Sequence, residues 1–230
     1  MNGVGLRSVL SRVKRRWRRG STSEFGISKS EIRSLVGRED PVIFEIGCAD
    51  GIDTIEMLRE FRSPAACFYC FEPDPRNLES FKTRVSDPRV TLCEAAVSDR
   101  TGTRQFFQSS TIYSSSVKEP NLAEIQDVWA EIEFLPAIVV ESVTLDDFVA
   151  HEALSRIDFL WADVQGAEDL VIKGGQKTFA QKVKWFYTEY SNREYYSASP
   201  DLATIMELLG PRWELVRDFG ADALLLNTEC

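Results

Sequence analysis

Pro41-Val42-Ile43-Phe44-Glu45-Ile46-Gly47-Cys48-Ala49-Asp50-Gly51 is the stretch that decides the fold. Its first half reads as a short buried strand and its second as a glycine turn. A second apolar run, Ala66-Cys67-Phe68-Tyr69-Cys70-Phe71, begins one helix later and ends in Glu72-Pro73-Asp74. Strand, glycine turn, helix, strand and terminal acid is the layout of a nucleoside-binding βαβ unit. The glycines let the backbone approach a ligand, and the acid is placed to take paired ribose hydroxyls.

The turn itself narrows the ligand. A dinucleotide fingerprint needs Gly-x-Gly-x-x-Gly; here Gly47 and Gly51 are separated by three residues and Ala49 occupies the middle position. No Gly-Lys-Ser/Thr follows, which excludes a triphosphate-binding loop. Glu45 and Asp50 would repel a pyrophosphate but suit a ligand with a cationic head, such as the sulfonium and ammonium of S-adenosylmethionine.

Outward from this unit the chain alternates helices and strands. A short helix spans 28–36 before the first strand at 42–46. Asp50 or Asp53 is placed to cap the next helix, which stops at Phe61 before Pro64. Asp74-Pro75 opens a third helix, and Val90–Cys93 is the third strand. Ala95–Gly102 turns into a hairpin strand at Thr103–Phe107. Residues 109–120, rich in Ser and Thr, read as a loop over the site, followed by a helix over 121–131. Ile138–Val143 is a strand, Thr144 opens a short helix, and Ile157–Asp163 is apolar enough to belong in the middle of a parallel sheet. A helix over Gly166–Phe179, a strand over Val183–Glu189 and a helix over 200–209 follow. Trp213–Arg217 and Ala223–Leu226 close the sheet as an antiparallel pair. With no repeat or linker, the 230 residues divide into an arm, 1–25, and one α/β domain, 26–230.

Charge is unevenly spread. The net charge is −9, yet residues 1–20 hold seven bases and no acid, leaving 20 bases against 36 acids in the rest. An acidic body argues against nucleic acid as a partner. In the arm, Val4, Leu6, Val9, Leu10, Val13 and Trp17 interleave with arginines at loosely helical spacing. It reads as a solubilising leader or a helix folded onto the acidic body, with peripheral contact to an anionic membrane as the alternative. No apolar run approaches the ~20 residues of a membrane span, and the start lacks the apolar core of a secretory signal. Five cysteines without an export signal point to reduced thiols in the cytoplasm. Cys67-x-x-Cys70 lies inside a strand, where the two thiols face opposite ways, so it reads as structural and not as half of a metal site.

Several stretches together resemble the FkbM family of S-adenosylmethionine-dependent methyltransferases: Phe44–Gly51, Phe71-Glu72-Pro73-Asp74-Pro75, Ala95–Gly102, Val143–Phe148, and Ile157–Glu168 running on to Lys173-Gly174-Gly175. The resemblance covers about residues 40–190. It implies a Rossmann-like seven-stranded class I methyltransferase sheet with helices on both faces, S-adenosylmethionine as cofactor, and methyl transfer to a hydroxyl of a sugar, glycan or natural product. The cofactor-binding set it implies, alongside the residue reading, is Glu45, Gly47, Cys48, Ala49, Asp50, Gly51, Glu72, Pro73, Glu94, Ala95 and Asp163. Gly47, Cys48, Ala49 and Gly51 would line the methionine and ribose, Glu72 would take the ribose hydroxyls, and Glu94 and Ala95 would flank the adenine. One departure concerns the acceptor: the family usually has a lysine where Trp161 stands, leaving Trp161 either to stack on an acceptor ring or to fill the core.

An alcohol acceptor must lose a proton. Asp163, at the C-terminal end of a central strand, is the first candidate for base or acceptor-orienting group. Glu189 is the second and Glu168 the third, the latter with the alternative of an acid favoured by a helix N-terminus. His151, the only histidine, sits at a polar helix end, which argues against a histidine mechanism. Tyr113, Trp129, Tyr190, Tyr195 and Tyr196 offer acceptor-stacking surfaces. Two alternatives stay open: a binding or scaffold protein without turnover, and a metal-assisted methyltransferase using Asp163, Glu189 and Asn192. Acceptor identity and oligomeric state are not legible.

Overall fold

The computed structural model describes residues 26–230; the basic arm read from residues 1–25 lies outside the described residues. Ser28 starts the first helix, α1 (Lys29–Val36), by accepting the Glu31 N–H, and Gly37 ends it in the left-handed conformation. The βαβ unit follows: β1 (Val42–Ile46), α2 (Ile52–Glu60), β2 (Cys67–Phe71). Then come α3 (Pro75–Arg84), capped by the Asp74 side chain with Pro75 at its first position, and β3 (Val90–Cys93). Two short strands, β4 (Ala96–Val97) and β5 (Gly102–Phe106), precede α4 (Leu122–Val128) and β6 (Ile138–Val143). The second half runs α5 (Leu145–His151), β7 (Ile157–Ala162), α6 (Glu168–Gly174), α7 (Gln176–Gln181), β8 (Val183–Glu189), α8 (Leu202–Leu209), β9 (Trp213–Asp218) and β10 (Asp222–Asn227).

Seven strands form one sheet in the order β3-β2-β1-β7-β8-β10-β9. β3, β2, β1, β7 and β8 are parallel, and β10 is antiparallel to both its neighbours. The chain runs outward from β1 to β3 and returns to β7 on the other side of β1, so the order reverses between β1 and β7. That crevice is where open α/β sheets bind ligands. All six residues of β7 are buried, including Asp158, which accepts from the Val42 N–H and pairs with Arg156.

Alternation along the central strands sorts the core into two layers. Phe44, Ile46, Leu160 and Ala162 pack on Val171, Phe179 and Ile205 of α6, α7 and α8. Ile43, Phe159 and Trp161 pack on Ile32, Met57 and Phe81 of α1, α2 and α3. Helices therefore cover both faces. Cys67 is exposed and Cys70 buried, the opposite facings expected of two strand residues three apart, and the described cysteines are all free.

Three expectations are corrected. The strand after Gly102 forms no hairpin with its predecessor: β5 pairs antiparallel with β6, Phe106 opposite Ile138, in a separate three-stranded sheet ordered β4-β6-β5. The helix expected over Gly166–Phe179 is two helices meeting at Gly175. Gly174 packs so tightly that a Cβ there would sit 2.0 Å from the Ser98 carbonyl oxygen. Neither Asp50 nor Asp53 caps α2, whose N-cap is Gly51; both carboxylates are drawn to cations and a phenol elsewhere. Among the described residues no helix is long and apolar enough to cross a membrane.

The Gly174 contact is backbone on one side, so a methyl group there cannot be absorbed by a side-chain rotation. Gly174→Ala is expected to lower stability by about 2–3 kcal/mol, within the range of core overpacking, read as a drop in the denaturant midpoint at unchanged slope.

Candidate active site

The turns after β1 and β7 touch. The Asp163 N–H donates to the Ile46 carbonyl at 3.0 Å, and a Cβ on Gly47 would fall 2.0 Å from the Asp163 carbonyl oxygen. Gly47 adopts φ +87°, and Ala49, where a dinucleotide fold would have glycine, is held at φ +47°. Both Gly47 and Cys48 N–H groups reach the Phe71 carbonyl, at 2.9 and 3.0 Å. The turn is thereby tied to both strands beside it.

Glu72 closes the same corner. Its carboxylate accepts from the Ala49 N–H at 2.9 Å and the Asp74 N–H at 2.7 Å. Burial raises it from the ordinary 4.5 to about 7, and the two backbone donors act against that rise. Burial opposes ionisation of Asp74 too, but there the Arg76 guanidinium and the Gln108 amide hold the carboxyl below its ordinary range.

A cavity of ≈ 140 Å³ opens at this corner. It is lined by Gly47, Cys48, Ala49, Asp50, Glu72 and Pro73 from the first βαβ unit, by Ala95 to Val97, and by Asp163 to Gln165, Glu189 and Asp222. Burial, with Cys70 beside it, pushes the Cys48 thiol far up, so it lines the wall as a neutral group. Gly51 stands behind the lining, packed against Phe81 and Val85 of α3. Glu45 and Glu94 also lie off the wall. Glu45 is buried and accepts from the Thr54 hydroxyl of α2. Glu94 is half-exposed and paired with Lys82.

The Ser/Thr-rich loop covers the mouth, with Ile112, Tyr113, Ser114 and Ser115 on the wall. The Tyr113 hydroxyl donates to Asp50 at 2.9 Å, and Arg84 holds the same carboxylate at 2.7 Å. Arg76 donates to the Ser109 carbonyl, Asn77 to the Ile112 carbonyl, and the Tyr196 hydroxyl to the Ser114 carbonyl.

At the ends of β7 and β8, the Gln165 amide nitrogen donates to both Asp163, at 2.6 Å, and Glu189, at 2.7 Å. Gln165 takes φ +55° to do so. Burial, with Asp163 and Asp222 close by, drives Glu189 well above the ordinary carboxylate range. Glu168, the third candidate, does not line this cavity; it is buried at the start of α6 and raised to about 7 by burial and by Asp163. Trp161 lines the wall yet belongs to the core, edge-on to Tyr187, with the Lys29 ammonium 3.8 Å above its ring. Trp129, Tyr195 and Tyr196 pack together in a satellite cluster instead of facing the cavity. His151 is exposed beside Glu152. Among the described residues no group of three or more His, Cys, Asp or Glu side chains is placed to hold a metal ion, and Asn192 is exposed.

Among the polar lining residues that escaped the sequence reading are Gln165, Asn77 and Asp222. Gln165 had a signal, a polar residue inside a glycine turn after a buried strand. Asn77 sits in the first turn of α3 with its Oδ1 buried and unpartnered. Asp222 arrives opposite Glu189 only through the β8–β10 register.

The seven-stranded order and its crevice are those of class I methyltransferases, whose cofactor is S-adenosylmethionine. The chain belongs to the FkbM methyltransferase family: the profile described as "Methyltransferase FkbM domain" matches residues 45–220. It is 39% identical over 213 residues to the 2-O-methyltransferase NoeI of Sinorhizobium fredii (strain NBRC 101917 / NGR234), covering 86% of this chain and 84% of that protein. Solved structures share the fold. The methyltransferase FkbM from Methylobacillus flagellatus KT superposes with a TM-score of 0.56 at 14% identity, over 88% of this chain but 48% of that one, so this chain spans about half of it. The O-methyltransferase from Bacillus cereus, in complex with SAH, superposes at 0.50 with 12% identity, over 95% and 90% of the two chains.

The residues present fit that cofactor. Gly47 leaves the backbone bare at the cavity floor, Glu72 offers a buried carboxylate, and Asn77 Oδ1 is a buried acceptor awaiting a donor. Glu72→Ala is expected to weaken S-adenosylhomocysteine binding about tenfold or more, ~1.4 kcal/mol for a lost charged hydrogen-bond pair. Ionised Glu72 is the better acceptor of hydroxyl donors. Calorimetric affinity of the wild type should therefore rise as pH climbs through about 7, and this rise should be absent in Glu72→Gln.

Proposed function

We propose that this protein methylates a hydroxyl oxygen of a sugar, glycan or natural product, with Asp163 as base and Glu189 as its partner. The observation carrying the reading is the Asp163–Gln165–Glu189 group, placed at the ends of two central strands and on the wall of the cavity that Glu72 and the glycine turn also line. The name of the 2-O-methyltransferase relative supports oxygen as the acceptor atom.

The cofactor supplies an electrophilic methyl group on a sulfonium. In this chain Gly47, Cys48 and Ala49 would hold its methionine side, Glu72 and Asn77 its ribose, and Pro73, Ala95 and Ala96 the adenine edge. Asp50 adds negative charge, and the Tyr113 hydroxyl links the loop to it. Burial and the nearby Asp163 push Glu189 well above the ordinary carboxylate range, which favours its protonated form. Asp163 takes the hydroxyl proton as the oxygen attacks, with Glu189 beside it. Gln165 orients both carboxylates, and the covering loop excludes water, so most of the acceleration comes from positioning in a dry site. Tyr113 offers a ring suited to a sugar.

The acceptor is a small molecule or glycan and not a nucleic acid, in keeping with the acidic body. The reaction belongs in the cytoplasm, with the seven bases of residues 1–20 as the surface that would meet anionic lipid at the inner face of the membrane.

Asp163→Asn is expected to cut transfer of label from methyl-labelled S-adenosylmethionine to a glycan or natural-product hydroxyl by about 100-fold or more, with S-adenosylhomocysteine affinity held. Label transfer at the wild-type rate in Asp163→Asn would remove Asp163 as the base. A wild type that binds cofactor tightly and labels no hydroxyl would remove the O-methyl reading itself.

A further inference from the structure

Behind Glu189 lies a second, smaller cavity. It holds ≈ 20 Å³ and is lined by Gly166, Glu168, Glu189, Ser191, Tyr196 and Ser199 among others. That is the room one water needs. Glu189 is the wall it shares with the larger cavity.

Two polar atoms here have nothing to bind. Glu168 is 1% exposed, and its Oε1 accepts from the Val164 and Gly166 N–H groups, both at 3.3 Å. Its Oε2 is buried without a hydrogen-bond partner, and so is the Ser199 Oγ. Other hydroxyls on this wall are engaged. Tyr196 donates to the Ser114 carbonyl at 2.6 Å, Tyr190 donates to Asp218 at 2.7 Å, and Ser191 Oγ accepts the Arg193 N–H at 3.0 Å. A buried carboxylate oxygen and a buried hydroxyl both left unpaired in one water-sized space describe a site for a molecule that donates to one and accepts from the other.

We infer that this cavity binds one water through Glu168 Oε2 and Ser199 Oγ, and that the proton gained by the Asp163–Glu189 pair leaves for solvent through it. The inference rests on the reading of that pair as the acceptor's base. Each turnover breaks the acceptor O–H bond and the sulfonium S–CH₃ bond, forms the O–CH₃ bond, leaves S-adenosylhomocysteine with the S–C electron pair, and adds one proton to the pair. The pair must shed that proton before the next acceptor hydroxyl can be deprotonated. Glu189 borders the water on one side, and partly exposed Ser191, Tyr195 and Ser199 border it on the other. The water takes the proton from Glu189 and releases one outward. Glu168, neutral or charged, orients the water and touches no substrate, so it is a positioning residue.

The test has a structural arm and a kinetic arm. A crystal structure of the full chain with S-adenosylhomocysteine, at a resolution that shows ordered water, is expected to place one water between Glu168 and Ser199; an empty or collapsed cavity overturns the inference. Ser199→Ala is expected to lower kcat about tenfold, at the low end of what a proton-transfer step contributes, with KM and calorimetric affinity for S-adenosylhomocysteine unchanged. Added imidazole, as a diffusible proton carrier, is expected to restore its rate in proportion to concentration. An unchanged kcat, a fall in kcat without imidazole rescue, or a fall that brings cofactor affinity down with it each overturns the relay. A wild type that shows the water but methylates no hydroxyl removes the relay through failure of the O-methyl reading, an outcome the mutant kinetics cannot mimic.

Discussion

Everything at the site depends on two backbone turns lying against each other with no side chain between them. The Gly47 α-carbon faces the Asp163 carbonyl so closely that no Cβ fits, while the Ile46 carbonyl and Asp163 N–H clamp the strands from the other side. This contact brings the halves of the fold into register at the reversal of strand order. It is why Glu72, bonded through the Ala49 N–H, and Asp163, two strands away in the sheet, share one cavity. A side chain at residue 47 would part the Glu72 side of the cavity from the Asp163 side even if the sheet still formed.

The site concentrates acids, and each is given a different environment. Asp50 has Arg84 and Tyr113, and Asp74 has Arg76 and Gln108. Glu72 has two backbone N–H donors with the Asn77 side chain beside it, and Asp163 and Glu189 share one amide. Guanidinium neighbours keep a carboxylate charged, whereas burial with neutral donors raises its pKa. Arg76 thus holds Asp74 below its ordinary range, while burial raises Glu72 to about 7 and Glu189 well above the carboxylate range.

Much of this was legible in the sequence because it rests on local rules. The apolar run of β7 announced a central parallel strand, Asp74-Pro75 announced a helix start, and Glu72 announced itself by ending the second strand. What was not legible depends on distant partners. Nothing near Gly102 says that β5 will pair with a strand over thirty residues later. The break at Gly174-Gly175 is set by Ser98, which packs on α6 from the far end of β4. Asp222 reaches the cavity through strand register, and Asn77 through the pitch of α3. Glu45 and Glu94 show the reverse. Both stand next to the right motifs, but strand alternation turns Glu45 toward Thr54, and Lys82 draws Glu94 outward to the surface.

The pairing of β5 with β6 also decides how the site is entered. The covering loop hangs from this small sheet, whose own core is little more than Ala96, Phe106 and Val140, and whose outer face leaves Val139 70% exposed. A unit with so few buried apolar contacts opens at a much lower free energy than the seven-stranded sheet behind it. The loop is tied to the body by hydrogen bonds from Arg76, Asn77, Tyr113 and Tyr196 and by the buried Lys118–Asp169 ion pair. Ligand traffic therefore needs no hinge between domains. Opening of this small sheet alone would uncover the mouth, which would tie ligand exchange to a local folding equilibrium and not to global stability.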